Sequence, residues 1–120
     1  MFQQDFIMRE VELISRFLAK VLLGKDLERG DQAESFEFLS EGYFFYRLRK
    51  LADEGRINEA ENELFEAVEE EAKMEYLTAA FEFYRYLSRM NPVFLRQNGF
   101  SEEEILEGLR DIKRIYQIPE

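Results

Sequence analysis

Glu63-Leu-Phe-Glu66 and Glu66-Ala-Val-Glu69 set acids three residues apart, and Glu104-Ile-Leu-Glu107 repeats that spacing near the C-terminus. On a helix, residues three apart share a face. Each pair therefore presents two carboxylates side by side, the hard oxygen ligands that suit Mg²⁺. If Glu63, Glu66, Glu104 and Glu107 converged in a cleft, they would equip a small hydrolase for nucleotide phosphates. The competing reading is a solvated face on a glutamate-rich helix. Other chemistries are closed. The chain has no histidine and no cysteine, which removes the commonest general base and metal ligand as well as the thiolate nucleophile. A di-iron bundle needs Glu-x-x-His pairs and is excluded. Ser15, Ser35, Ser40, Ser88 and Ser101 have no histidine to activate them, and no phosphate loop or zinc spacing occurs.

The second group of candidate residues recognises rather than reacts. Tyr43-Phe-Phe-Tyr46 and Phe81-Glu-Phe-Tyr-Arg-Tyr86 concentrate aromatics in a chain with 12 Phe, 6 Tyr and no Trp. Neighbouring aromatics on a helix point in different directions, so some are expected to leave the core and line a groove, where Tyr supplies area and a polar handle. Tyr46, Tyr84 and Tyr86 are the expected groove residues, with Arg47 and Arg85 beside them for a carboxylate. A third pattern lies at the start. Ile7, Val11, Ile14, Leu18 and Val21 alternate four-three spacings, a heptad seam that could pair with a second copy of the chain. Phe6, Leu13, Phe17 and Leu22 add apolar flanks.

Charge limits the partners. The net charge is −10 over 120 residues, and affinity for nucleic acid rests on Lys and Arg neutralising phosphates, so nucleic acid is not expected. The charge is uneven: residues 1–30 hold five acidic and five basic groups, whereas residues 53–75 hold ten acidic groups against Arg56 and Lys73. The first 30 residues read as no secretory leader. The longest apolar run, Phe17 to Leu23, is interrupted by Lys20 and is far short of the roughly 20 residues a bilayer requires. Membrane association is not expected, and a cytoplasmic location is the default.

The elements that must position these residues are helices. Pro occurs only twice, and strong helix formers dominate between turn signals. The periodicity predicts a helix from about Gln4 to Leu23, closed by Gly24 as a C-cap. Asp31-Gln-Ala-Glu34 reads as a capping box opening a second helical stretch. A break is expected near Ser40-Glu-Gly42, with one bent helix to Glu54 as the alternative. Gly55 ends that stretch. A third element is expected over Ile57–Glu71, with Ala60, Leu64, Ala67 and Val68 inward. A fourth, over Met74–Met90, is apolar almost all round, so it belongs in the middle of the bundle. Asn91-Pro92 stops it. Residues 91–100 are expected as a connection with an Asn98-Gly99 turn. Ser101-Glu-Glu-Glu104 opens the last helix with a capping box.

Residues 41–72 resemble one tetratricopeptide (TPR) unit: Phe44 and Leu51 on the first helix, Gly55 and Ile57 at the turn, and Ala60, Leu64, Ala67 and Val68 on the second. The opening Met-Phe-Gln-Gln-Asp-Phe-Ile-Met-Arg, with Arg16-Phe-Leu-Ala-Lys20 and Leu23-Gly-Lys-Asp26, is similar to an uncharacterised family of short TPR-like bacterial proteins. The resemblance implies binding of a protein or peptide segment in a groove between helices.

These readings combine into an all-α domain of five or six antiparallel helices with a TPR-like hairpin in its middle. The expected function is a non-enzymatic interaction module without cofactor, which binds a protein or peptide segment or a second copy of itself as a homodimer. The alternative is a small all-α Mg²⁺-dependent nucleotide pyrophosphohydrolase built on the paired glutamates.

Overall fold

The computed structural model describes residues 2–29 and 43–119. Within them the chain forms six helices and no strand: α1 (Phe2–Arg29), α2 (Tyr43–Asp53), α3 (Ile57–Glu70), α4 (Met74–Ser88), α5 (Pro92–Gln97) and α6 (Glu102–Ile115). The all-α reading holds. The capping box at Asp31 and the choice between one and two helices over residues 31–54 fall outside the described residues.

The hairpin formed by α2 and α3 is built as its sequence dictates. Gly55 has φ +82°. Its N–H donates to the Ala52 carbonyl at 3.0 Å, and the Arg56 N–H donates to the Leu51 carbonyl at 2.9 Å. These two bonds define a Schellman cap, which needs the left-handed conformation glycine adopts without a steric penalty. A Cβ on Gly55 would also collide with the Asn98 side chain. Past the turn, Ile57, Ala60, Leu64 and Val68 are buried against α2 and α4, at the spacing of one helical face. Burying a leucine such as Leu64 stabilises by roughly 1.5–3 kcal/mol. Ala67, expected inward, is half-buried.

Helix α4 is the hub. It packs against α1, α2, α3 and α6 and buries eight of its residues, among them Leu77, Phe81, Phe83, Tyr84 and Leu87. A helix with apolar residues on every side can satisfy them only when surrounded. The last helix, α6, starts with the expected capping box. The Ser101 Oγ accepts from the Glu104 N–H at 3.3 Å, and the Glu104 carboxylate accepts from the Ser101 N–H at 2.8 Å.

Two expectations are corrected. Helix α1 does not end at Leu23 but continues through Gly24 to Arg29. An internal glycine costs about 1 kcal/mol, and the helix-forming residues that follow carry the helix across it. Residues 91–100 are not simply a connection. Asn91 caps a short helix by accepting from the Val93 N–H at 2.9 Å, and Pro92 takes its first position. Pro at that position lacks only an N–H that would be unpaired anyway, so the residue that stops α4 also starts α5. Leu95 and Phe100 from this segment are buried in the core.

Candidate functional site

The site is a groove between α1 and α4. Val11, Ser15 and Ala19 recur at helical spacing along one wall, and Phe81, Arg85 and Ser88 along the other. The groove holds about 490 Å³, a size usual for ligand clefts. Its floor is apolar: Val11 and Phe81 belong to the core, and Met8 and Ala19 lie beside them. Its rim is cationic. Arg16, Arg85 and Arg89 all line it. Arg16 is partly neutralised by Glu12 one turn earlier, at 2.9 Å. The Arg85 guanidinium carbon lies 5.9 Å from the Phe81 ring centre, within the range in which a cation is attracted to an aromatic face.

The five residues expected to bind a partner do not form one surface. Tyr46 is exposed, at 58% of its surface. Arg47 is also exposed, but its Nε and Nη2 donate to Glu63 Oε1 at 3.1 and 2.6 Å. That carboxylate raises the arginine's pKa through hydrogen bonding and charge. Tyr86 is half-buried. Its hydroxyl donates to Asp53 on α2, and its ring meets Phe45 edge-on at 6.5 Å. Arg85, one residue earlier, faces α1 instead and is the one expected residue that reaches the groove. Tyr84 is corrected outright: it is fully buried. Its hydroxyl donates to Glu61 Oε2 at 2.6 Å, and its ring lies against Gly108 of α6, where only a residue without Cβ leaves room.

The expected seam on α1 turns inward. Val11 and Leu18 are buried in the chain's own core, with Ile7 and Ile14 packed against it and Val21 partly covered. The heptad spacing is met by α4 and α6, which pack against α1. On the flank, Phe6 and Leu13 are exposed at 61% and 57%. Phe17 lies 5.0 Å beneath the Lys113 ammonium.

The glutamates expected to gather round Mg²⁺ do not meet as a set. Glu63 is held by Arg47, Glu66 is exposed, and Glu104 serves its capping box. A different acidic cleft of about 240 Å³ lies between α3 and α6, where Glu61 and Asp111 join Glu104 and Glu107. Among the described residues no three of these carboxylates approach closely enough to hold a metal ion. The Glu61 pKa is raised, first by burial, with the charges of Glu104, Asp111 and Glu107 adding to it and the Tyr84 hydrogen bond opposing it. Burial and the Glu61 charge push the Tyr84 phenol well above its ordinary value.

Sequence reasoning missed Arg16, Arg89 and Glu61. A signal for Arg89 existed, since Arg85 and Arg89 stand four residues apart at the C-terminal end of a largely apolar helix. Nothing in the sequence places Arg16, some 70 positions away, opposite them.

No helix among the described residues is long and apolar enough to cross a membrane. No match was found among curated proteins or among solved structures. One family model does match, over residues 1–117, and it describes a family of unknown function, DUF6483. That match covers nearly the whole chain, all six helices included, and the protein belongs to this family.

Proposed function

We propose that this chain is a non-enzymatic interaction module that receives a segment of another protein in the α1–α4 groove. The observation that carries the reading is the groove itself, with an apolar floor beneath a cationic rim. Clefts of that kind take an apolar anchor and fix its orientation with a few polar groups. The α2–α3 hairpin, with its glycine cap and small Ala60 at the crossing, supports a TPR-like reading of the middle of the chain. The hydrolase reading is weaker. It needs Glu63, Glu66, Glu104 and Glu107 in one cleft, and two of them are engaged elsewhere.

A photo-crosslinking amino acid at Ser88, inside the groove, tests the reading in the native cell. A discrete crosslinked protein is expected from Ser88 and not from a control site at Glu70 on α3. Equal labelling at both sites, or none at either, would refute it. Mg²⁺-dependent turnover of a nucleoside triphosphate, lost in Glu66→Gln, would favour the hydrolase instead.

A further inference from the structure

We infer that the occupant of the α1–α4 groove is an acidic peptide segment. Its apolar side chain would rest on Val11, Ala19 and Phe81, and its Asp or Glu carboxylates would be taken by Arg85 and Arg89. This inference rests on the interaction-module reading and adds the chemistry of the partner.

The argument is one of charge placement. The protein carries ten more acids than bases, and several of the described arginines are neutralised within the chain. Arg47 pairs with Glu63, Arg96 with Glu102, Arg110 with Glu10, Arg114 with Asp111, and Arg56 with Glu54 and Glu59. Arg85 and Arg89 are exposed and make no ion pair among the described residues. They stand one helical turn apart, about 6 Å along the axis, on the rim of an apolar groove. Two carboxylates one turn apart on a helix, or two residues apart on an extended strand, match that separation. The planar guanidinium is suited to forked recognition of a carboxylate. Arg85 is also partly pre-positioned by the Phe81 ring, which reduces the entropy lost on binding.

Cations in a last helical turn also offset the helix dipole. That role accounts for a contribution to stability. It does not account for the apolar groove beneath them or for Arg16 facing them from α1. Nucleic acid offers phosphates instead, but it is repelled by the overall charge and has no apolar side chain for the floor.

The test is selection of random 12-residue peptides displayed on phage, using the full chain as bait. Enriched peptides are expected to place Asp or Glu beside Leu, Ile or Phe. Representative synthetic peptides should bind at least ten-fold more weakly to Arg85→Glu/Arg89→Glu. Arg85→Lys/Arg89→Lys should recover part of the loss. Each variant is first shown to keep the helical circular dichroism of the parent. Peptides that are basic or uncharged, yet compete at the groove, would overturn the acidic partner and leave the module reading standing. Peptides indifferent to the charge reversal would also overturn it. No enriched peptide at all would overturn both. A single-stranded oligonucleotide bound through Arg85 and Arg89 more tightly than any peptide would overturn the inference in favour of a phosphate backbone.

Discussion

Replacing Gly108 with alanine is the sharpest test of how α6 meets the hub helix. By helix propensity alone the change stabilises, because alanine in a helix interior is about 1 kcal/mol better than glycine. The structure reverses the sign. A Cβ at position 108 would overlap three atoms of the Tyr84 side chain, with Cε1 at 2.6 Å. Tyr84 is held where it is, since it is fully buried and its hydroxyl is bonded to Glu61. Overpacking of this kind costs about 1–3 kcal/mol. Pulling the phenol away from Glu61 removes a hydrogen bond to an acidic group, worth about 1.5–3 kcal/mol. Set against the propensity gain of about 1 kcal/mol, the net loss is about 1.5–5 kcal/mol. For a chain of this length each kcal/mol moves Tm by roughly 3–5 °C, so a fall on the order of 10 °C is expected. Thermal unfolding followed by circular dichroism measures it. Gly24 supplies the control: it is also helical, but a Cβ there meets nothing within 4 Å, so Gly24→Ala should raise stability by about 0.5–1 kcal/mol. Tyr84→Phe should partly rescue Gly108→Ala, because the two changes share one contact. A Gly108→Ala protein that melts at or above the parent temperature would refute the seating of Tyr84 over α6.

Three further outcomes are expected. Ala60→Phe fills a position with no exposed surface at the α2–α3 crossing and should cost about 1–3 kcal/mol; a urea midpoint equal to the parent's would contradict the hairpin packing. Ser101→Ala removes the side-chain acceptor of the α6 capping box and should cost about 1 kcal/mol, read as a lower Tm with unchanged helical signal. Glu61 has a folded-state pKa above its ordinary 4.5, so folding favours its protonated form. The parent should therefore gain stability relative to Glu61→Gln as pH falls from 7 through that raised value, with the gain complete below 4.5. A stability difference between parent and variant that does not change with pH would show that Glu61 is not strained by its neighbours.

The parts of this fold that could be read from sequence are those fixed by local rules. Gly55 with Ala60 and Leu64 specified the hairpin, because cap geometry and face spacing are settled within a few residues. Ser101 and Glu104 specified the start of α6 for the same reason, and the all-round apolarity of residues 74–88 placed α4 at the centre. Local rules also misled. Gly24 has the identity of a cap, but a helix ends there only if the residues beyond it disfavour helix, and they do not. Asn91-Pro92 is at once a stop for the helix before it and a start for the one after, and only the stop was recognised. The site was less legible than the fold. Tyr84 and Tyr86 are chemically alike and two residues apart, and which of them is buried depends on the positions of α6 and α2. The groove joins residues near position 15 to residues near position 88, and no spacing rule links them.

The packing of α1 against α6 has a consequence for the order in which the molecule assembles. Glu10 and Arg110 are 3.8 Å apart, and Phe17 lies under Lys113, so these contacts join segments separated by almost the whole chain. Non-local contacts of this kind close large loops and form late, whereas the α2–α3 hairpin closes over a few residues and can form early. During synthesis the first helix emerges first, but until the last helix is available it has only α4 to pack against, so part of the stripe of Val11, Leu18 and Leu22 lacks its α6 partner. The α1 wall of the groove therefore gains its second support only after α6 has been made. A nascent or C-terminally truncated chain would lack the α6 side of this seat and leave more of the apolar stripe of α1 exposed, a surface on which chaperones and proteases act.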